Sequence, residues 1–551
     1  MSGLPENSLP SRQAIALLAA LFALLWFSTL DYRKLIKPDE GRYAEIAREM
    51  AQSGDWVTPR LNGIKYFEKP PLQYWMTAAA FRAFGENEWT ARLWSAITGF
   101  AGVMLAAFTA ARLFGPRAAW LAAIVLASSL WWVLMGHLNT LDMGFAFFLQ
   151  AALAGFLLGQ TAARGSATER NAMLAAWAAA ALAVLSKGLA GLVLPGLVLV
   201  VYCLVQRDWR VLARLHPVGG IALFLIICAP WFAAVQMANP EFARFFFIHE
   251  HFQRFTSDAH SRTQPAWYFI PILALALLPW TGMALHACAG AWRERTRDFN
   301  ARRFLVLWVA LIFLFFSASG SKLPSYILPI LPAFALLAGD WLCRAAPRAL
   351  AWHAGAIGVL AVAAAALVPV LGTRTGGEAP DEMLAQYALW LTGSIAVLAA
   401  GVLAAAWMYR RGRILAAVAG MGIAALVAWE SALQGHQTLG RSNSAFYIAE
   451  EIRPLLRPGM PFYSVGTYEQ TLPFYLGRTV TLVDYRDEFG FGLDQEPRLA
   501  VSGIENFKAR WIADAEAYAM VSPDGFRLMT NHGFPMREVA RDPRRIIVGK
   551  P

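Results

Sequence analysis

Long apolar segments alternate with short charged segments along most of this chain. Ala, Leu, Val, Phe and Trp dominate blocks of roughly 15–25 residues, most of them long enough for a helix to cross the hydrocarbon core of a bilayer. This pattern predicts a polytopic α-helical membrane protein with about thirteen transmembrane helices. Their predicted bounds are 14–30, 90–111, 118–136, 141–160, 172–186, 189–206, 217–236, 267–289, 304–318, 324–343, 350–371, 386–409 and 414–433.

The composition supports this class. Of the 551 residues 57% are hydrophobic and 15% are charged, whereas a soluble domain carries about 25% charge. The four cysteines lie in or beside apolar blocks and form no CxxC pair, which indicates small core residues rather than a disulfide framework or a zinc knuckle.

Arginine marks one side of the predicted membrane. The short loops of one parity carry arginine and no lysine, so the positive-inside rule places them, and the N-terminus, in the cytoplasm. The other loops, and everything after Leu433, are then expected outside, and every lysine falls there. The net charge of +11 follows from this anchoring pattern and needs no nucleic-acid partner. The block at 14–30 lacks a small-residue cleavage pattern and is expected to be an uncleaved signal anchor.

The first outer loop, residues 31–89, contains two helical patterns. AEIAREMAQSG is amphipathic and ends at Gly54, and PLQYWMTAAAFRAFG starts with proline and ends at Gly85. Both are predicted to lie along the membrane surface, since Tyr74, Trp75 and Phe81 suit the interface.

The composition changes after Leu433. PFYSVG, TVTLVD and AYAMVS are typical of strands, and they alternate with helical stretches such as IENFKARWIADA. We therefore predict a transmembrane domain over 1–435 and a small extracytoplasmic α/β domain over 436–551.

Nucleotide-binding signatures are missing from the sequence. It has no G-x-x-x-x-G-K-[ST], no G-x-G-x-x-G after a strand, and no D-x-D triplet. An outward-facing site would not meet nucleotides, so its substrates are expected to be membrane-borne or extracytoplasmic.

The stretch KPDEGRYAEIAREM contains two adjacent carboxylates, Asp39 and Glu40, followed by Arg42 and Tyr43 within one helical turn. One interpretation is a solvated pair at a helix N-terminus, where acids are favoured. The other is a group of acid–base or substrate-orienting residues at the outer mouth of the helix bundle.

Two further outer motifs concentrate ionisable groups. YFEKPPLQYW places Tyr66, Glu68 and Lys69 before two prolines, which predicts a stiff, extended backbone. The outer loop 237–266 carries HEHFQRF, whose polar members are His249, Glu250, His251 and Arg254. A surface loop and interfacial histidines with ordinary hydrogen bonds are the alternatives to a site.

Single charged residues also lie at the outer ends of predicted spans. Asp142 begins the fourth span, where a carboxylate is unfavourable unless it faces a polar cavity. Lys187 and Lys322 lie in tight outer turns. Each alone is explained by snorkelling, but all of these groups map to one predicted face of the membrane.

These motifs, with SKLPSYILPILP, resemble the protein O-mannosyltransferase-like superfamily, and within it the bacterial lipid A aminoarabinose transferases. The resemblance implies a type C glycosyltransferase fold with a periplasmic active site in the inner membrane. It also implies an undecaprenyl phosphate-linked aminoarabinose donor, lipid A phosphates as acceptors, and membrane lipids as further partners. The superfamily's catalytic Asp falls on Asp39, and its Glu-Lys pair on Glu68 and Lys69. HEH departs from the expected Glu-His, so His249 is less secure than His251.

Taken together, the motifs and the resemblance predict three groups of site residues. The predicted catalytic residues are Asp39 and Asp142. The predicted substrate-binding residues are Glu40, Arg42, Tyr43, Tyr66, Lys69, Lys187, Arg254, Lys322 and Tyr326. The predicted metal ligands are Glu68 with His249 or His251, and a divalent metal such as zinc suits Glu and His better than calcium.

Other functions fit part of the pattern. A transferase of another polyprenyl-linked sugar to protein or glycan would use the same motifs. A lipid or drug transporter would favour related halves and mid-membrane charges, which the sequence does not display. A structural scaffold would not need so many ionisable groups in its outer loops.

The predicted topology has a direct test. A reporter that is active only in the cytoplasm, fused after Arg441, should give no signal because this position follows the last predicted span. A strong signal would contradict the predicted number of spans.

Overall fold

The computed structural model describes residues 12–253, 264–294, 299–371 and 379–551. Within it the chain divides into two compact units, each described below by itself. The helical unit comprises Met1–Thr29, Trp94–Val368 and Trp390–Leu433. The mixed unit comprises Leu30–Leu93, Pro369–Leu389 and Gln434–Pro551.

Every predicted span is helical in the structure. The long helices and their partners are Arg12–Ser28, Glu88–Phe114, Pro116–Ala127, Leu130–Gly136, Leu141–Thr161, Ala167–Lys187, Ala190–Gln206, Pro217–Ala238, Phe269–Ala276, Thr281–Arg293, Ala301–Ala318, Leu331–Leu342, Pro347–Leu371, Asp381–Arg410 and Ile414–Gly435. Short 3-10 turns occupy Trp209–Arg214 and Pro324–Ile330, and Arg244–Gln253 is a π-helix. In the described part of the chain, eight helices are long and apolar enough to cross a membrane, or up to ten with two bent pairs. This count does not confirm the predicted thirteen.

Two predicted spans are bent helix pairs. The bends are 65° between Pro116–Ala127 and Leu130–Gly136, and 107° between Phe269–Ala276 and Thr281–Arg293. The helices over the predicted spans 118–136 and 267–289 are therefore broken at these bends.

Protein groups satisfy the backbone and side chains at both breaks. The Leu130 N–H donates to the Leu278 carbonyl at 3.1 Å, and the Trp280 indole donates to the Ser128 hydroxyl at 3.0 Å. Because a broken helix in an apolar medium needs such partners, each break supports the other. The hydropathy pattern of the sequence does not reveal that the two breaks pair with each other.

Helices Leu141–Thr161 and Ala167–Lys187 form a close antiparallel hairpin. A Cβ atom on Gly155 would lie 2.8 Å from the Ala172 carbonyl oxygen and 3.1 Å from the Ala176 Cβ. Small residues allow helix backbones to approach in this way. The hairpin brings the last residue of the second helix, Lys187, beside the first turn of the first helix.

The mixed unit combines short helices with two sheets. Its helices are Asp39–Ser53, Leu72–Phe84, Gly440–Asn443, Phe446–Ile452, Leu472–Leu476, Gly490–Gln495, Ile504–Ala513 and Pro523–Asn531, and its 3-10 turns are His436–Leu439, Arg453–Leu455, Asp487–Phe489 and Pro497–Leu499. Its strands are β1 Arg60–Leu61, β2 Ile64–Lys65, β3 Phe462–Val465, β4 Thr481–Val483, β5 Ala500–Val501, β6 Tyr518–Val521, β7 Arg537–Arg541 and β8 Ile546–Gly549.

The larger sheet has the strand order β5-β4-β3-β6-β8-β7. Strands β5, β4, β3 and β6 run parallel, whereas β8 pairs antiparallel with both β6 and β7. The strands expected in PFYSVG, TVTLVD and AYAMVS, and the helix expected in IENFKARWIADA, are confirmed.

The two helices predicted in the first outer loop are present, but two of their aromatic residues do not face outwards. Gly54 ends the first helix in the left-handed conformation, with φ 74°. Tyr74 is fully buried and Phe81 is 4% exposed, with its ring 5.9 Å from that of Phe474. The interfacial placement of Tyr74 and Phe81 is therefore wrong, because these rings pack inside the mixed unit.

Gly155→Ala should lower the melting temperature of the purified protein, because the added methyl group forces the two hairpin backbones apart. Gly290→Ala is a matched control: Gly290 is also helical, and no atom lies within 4 Å of a Cβ placed on it. There the helix propensity of alanine should leave stability unchanged or raise it by up to about 1 kcal/mol. Equal melting temperatures for the two variants would contradict close packing at Gly155.

Candidate functional site

The acidic pair at the start of helix Asp39–Ser53 has two different environments. Successive helical side chains point about 100° apart. The Asp39 side chain is 40% exposed, whereas that of Glu40 is 2% exposed. The two neighbours in sequence therefore have different surroundings.

Glu40 forms a buried double ion pair with Arg92. The Arg92 Nε–Glu40 Oε1 and Nη2–Oε2 distances are 2.7 and 2.9 Å. Arg92 Nη1 also donates to the carbonyls of Leu30 and Arg33, and Glu40 Oε2 accepts the Ile36 N–H. The geometry does not favour the predicted substrate contact of Glu40, because burial and these bonds occupy its carboxylate. We assign it a structural role.

Arg42 holds Asp39 from the same helix. Its Nη1 lies 2.7 Å from Asp39 Oδ1, and its Nε lies 2.5 Å from Glu488 Oε2 in the C-terminal segment. Burial disfavours the charge of Arg42, but Tyr66, Glu488 and Asp39 keep its pKa above the ordinary value. Asp39 is thus fixed beside a permanent cation.

Tyrosines surround this group. Tyr43 is 7% exposed and its ring lies 5.9 Å from that of Tyr74, while Tyr66 is 2% exposed. Burial, and next the charge of Glu68, raise the pKa values of Tyr66 and Tyr74. Within the described residues the buried Tyr74 hydroxyl has no hydrogen-bond partner.

Glu68 and Lys69 lie between β2 and helix Leu72–Phe84. Both are half-buried, and the backbone bends at them instead of being extended as predicted. Lys69 Nζ donates to the Glu68 carbonyl at 2.8 Å. The mixed unit therefore gathers six predicted site residues in one polar group, namely Asp39, Arg42, Tyr43, Tyr66, Glu68 and Lys69.

A second group lies in the helical unit. Lys187 Nζ forms an ion pair with Asp142 and lies 4.5 Å from the centre of the Tyr326 ring. Asp142 is in the first turn of its helix and Lys187 in the last turn of the other, so both charges are favoured by the helix dipoles. Three residues predicted separately thus form one constellation.

Lys322 is 6% exposed and is held by backbone carbonyls. Its Nζ donates to Gln264 at 3.0 Å and to Ser319 at 2.5 Å. Carbonyl oxygens therefore take the place of water around its ammonium group.

The predicted metal site stays a prediction. Arg254 and the side chains of His249 and His251 lie outside the described residues. The backbone at 249–251 belongs to the π-helix Arg244–Gln253. Elsewhere in the described ranges, no group of three His, Cys, Asp or Glu side chains could hold a metal.

Comparison with known proteins connects these groups to one family. The dolichyl-phosphate-mannose-protein mannosyltransferase family model matches residues 13–293, and the aminoarabinose transferase C-terminal domain model matches residues 448–550. The crystal structure of ArnT from Cupriavidus metallidurans bound to undecaprenyl phosphate is 40% identical, with a TM-score of 0.93 over 98% of both chains. The chain belongs to the aminoarabinose transferase family.

Curated relatives of this family agree over part of their length. Undecaprenyl phosphate-alpha-4-amino-4-deoxy-L-arabinose arabinosyl transferases from Pseudomonas paraeruginosa and Edwardsiella ictaluri are 39% and 35% identical. The matched regions span 60% and 59% of each chain. The archaeal oligosaccharyltransferase AglB of Archaeoglobus fulgidus, 14% identical with a TM-score of 0.54 over 93% of this chain and 73% of its own, shares the fold.

Sequence reasoning missed three residues of the polar groups described above: Arg92, Tyr74 and Glu488. Arg92 lies within a predicted span, where a charged residue is itself a signal. Tyr74 was assigned to the membrane interface. Glu488 carries no local signal, because only tertiary structure brings it to Arg42.

The metal prediction is tested by elemental analysis of purified protein. Wild type should contain about one divalent metal ion per chain, Glu68→Ala should lose it, and Glu86→Ala, an exposed carboxylate of the same loop, should retain it. If wild type contains no metal, or if wild type and Glu68→Ala contain equal amounts, the metal prediction is wrong. Glu68 and the histidines would then make only ordinary polar contacts.

Proposed function

We propose that this protein transfers 4-amino-4-deoxy-L-arabinose from an undecaprenyl phosphate-linked donor to phosphate groups of lipid A. The observation that carries the proposal is the polar group around Asp39: a partly exposed carboxylate fixed by Arg42 and surrounded by buried tyrosines. Family membership and the names of the relatives supply the sugar and the lipid carrier.

The reaction exchanges one phosphate ester of the sugar for another. The bond between sugar C1 and the donor phosphate oxygen breaks, and a bond between C1 and an acceptor phosphate oxygen forms. The donor phosphodiester leaves as a monoester and gains negative charge, so fixed cations aimed at it stabilise the transition state. The acceptor is already an anion and has little need of a strong general base.

Asp39 suits the sugar side of this reaction. Its carboxylate can stabilise the positive charge that develops on the sugar ring, or bind the sugar amine. Arg42 orients it, at an Nη1–Oδ1 distance of 2.7 Å. Tyr43 and Tyr66, which are 7% and 2% exposed, stay predictions as sugar-binding residues.

The cations suit the phosphates. Lys69 is half-buried in the mixed unit, and Lys187 and Lys322 are largely buried in the helical unit. Arg254, predicted from sequence, would add a fourth cation. Asp142 holds Lys187 in place, and Tyr326 covers its ammonium group.

The site is expected to face the periplasm of the bacterial inner membrane, with the C-terminal domain on the same side. The support is the arginine-rich loops of one parity, which mark the cytoplasmic side independently of any site residue.

Asp39→Asn should abolish modification of lipid A while expression and melting temperature stay normal, because the amide keeps the shape and removes the charge of an exposed group. Mass spectrometry of lipid A from cells that carry no other copy of this activity measures the result. Glu40→Gln is the matched contrast: it breaks a buried ion pair, which costs about 3–5 kcal/mol, so protein level and stability should fall.

Normal lipid A modification by Asp39→Asn would remove Asp39 from the mechanism. Unmodified lipid A with wild-type protein, alongside sugar transfer to a protein or glycan, would replace the proposed acceptor.

A further inference from the structure

The C-terminal segment fixes the residue that holds Asp39. Glu488 accepts from Arg42 Nε at 2.5 Å through one carboxylate oxygen and from the Gln470 side-chain amide at 2.8 Å through the other. Its side chain is 6% exposed. Both oxygens therefore have partners, and the carboxylate has one orientation.

The same segment packs against the backbone of the helix. A Cβ atom on Gly41 would lie 2.6 Å from Thr471 Cγ2 and 2.7 Å from the carbonyl carbon of Gln470. Only glycine permits this approach. Gly41 lies between Asp39 and Arg42, so the support touches the helix where the candidate site begins.

The sheet explains why these two residues arrive together. Strands β3 and β4 are parallel neighbours, and the carboxyl ends of parallel strands meet at one edge of a sheet. Gln470 follows β3 after the turn at Gly466, whose φ is 64°, and Glu488 follows β4 in the turn Asp487–Phe489.

We propose that Glu488 and Gln470 are positioning residues that act through Arg42 to set the orientation of Asp39. This rests on the proposed function only in the role it gives Asp39. The C-terminal domain then has a part in the reaction although none of its residues need touch the reacting atoms. Burial raises the pKa of Glu488, whereas Arg42 favours its charged form.

In this arrangement Arg42 forms ion pairs with two carboxylates, those of Asp39 and Glu488. Without Glu488, the guanidinium is free to turn two N–H donors to Asp39, the fork geometry that arginine prefers with carboxylates. Asp39 would then take a different orientation. The proposal therefore predicts a defect in the chemical step, with substrate binding largely kept.

The kinetic test compares Glu488→Gln with Asp494→Asn in purified full-length protein, using undecaprenyl phosphate-aminoarabinose and lipid A. Asp494 pairs with Arg486 in the same domain, and both side chains are exposed. Glu488→Gln should lower kcat about 10- to 100-fold with KM nearly unchanged, and Asp494→Asn should match wild type. An unchanged kcat, or a rise in KM alone, would overturn the proposal.

A double-mutant cycle separates positioning from general stability. In an Arg42→Ala background, Glu488→Gln should change kcat by less than about twofold, because the residue through which it acts is gone. Losses that multiply would mean that Glu488 acts independently of Arg42, and would overturn the proposal.

A third measurement does not depend on sugar transfer. Phenylglyoxal modifies accessible arginines, and peptide mass spectrometry reports each site. Glu488→Gln should raise the labelling rate of Arg42 several-fold, while Asp494→Asn should raise that of Arg486 only. Unchanged labelling of Arg42 overturns the positioning role. If wild-type protein transfers no aminoarabinose and Glu488→Gln still raises the labelling of Arg42, the positioning contact is supported and the proposed function is rejected.

Discussion

The buried ion pair between Glu40 and Arg92 is the interaction on which the mixed unit's site depends. Arg92 is fully buried, and it binds Glu40 through two donors and the backbone of the preceding loop through others. It therefore fixes the entry of the chain into helix Asp39–Ser53. These bonds occupy the Glu40 carboxylate, whereas its neighbour Asp39 lies on the exposed face of the helix. Removing either partner would leave an uncompensated buried charge, which is far more destabilising than losing a surface pair.

In the helical unit, helix ends stabilise the buried charges. Asp142 lies at a helix N-terminus and Lys187 at a C-terminus, and the close hairpin packing at Gly155 makes them neighbours. Each charge is thus stabilised by a helix dipole, by its partner and, for Lys187, by the Tyr326 ring. Lys322 is solvated by carbonyl oxygens instead. Both lysines are thus held in place by protein groups.

The C-terminal α/β segment does more than accompany the membrane helices. Its parallel strands end where Gln470 and Glu488 reach the helix that carries Asp39 and Arg42. A sheet is a stiff support, and residues at the carboxyl ends of its strands are placed with little freedom. This arrangement gives a physical reason why the matches to this family include both a membrane part and a C-terminal part.

Much of this protein was determined by its sequence alone. Hydropathy located the long apolar helical segments, alternation located three strands of the large sheet, and the motifs located most residues of both polar groups. These features are local, since helix and strand periodicity and charged residues in apolar blocks can be recognised within one segment. Tertiary structure decided the rest. It bent two spans whose backbone groups satisfy each other at the breaks, buried Tyr74 and Phe81 against protein instead of lipid, and gave Asp39 and Glu40 different surroundings. An apolar ring has the same signature whether lipid or protein covers it, and a carboxylate reveals its role only through the partner that folding brings to it.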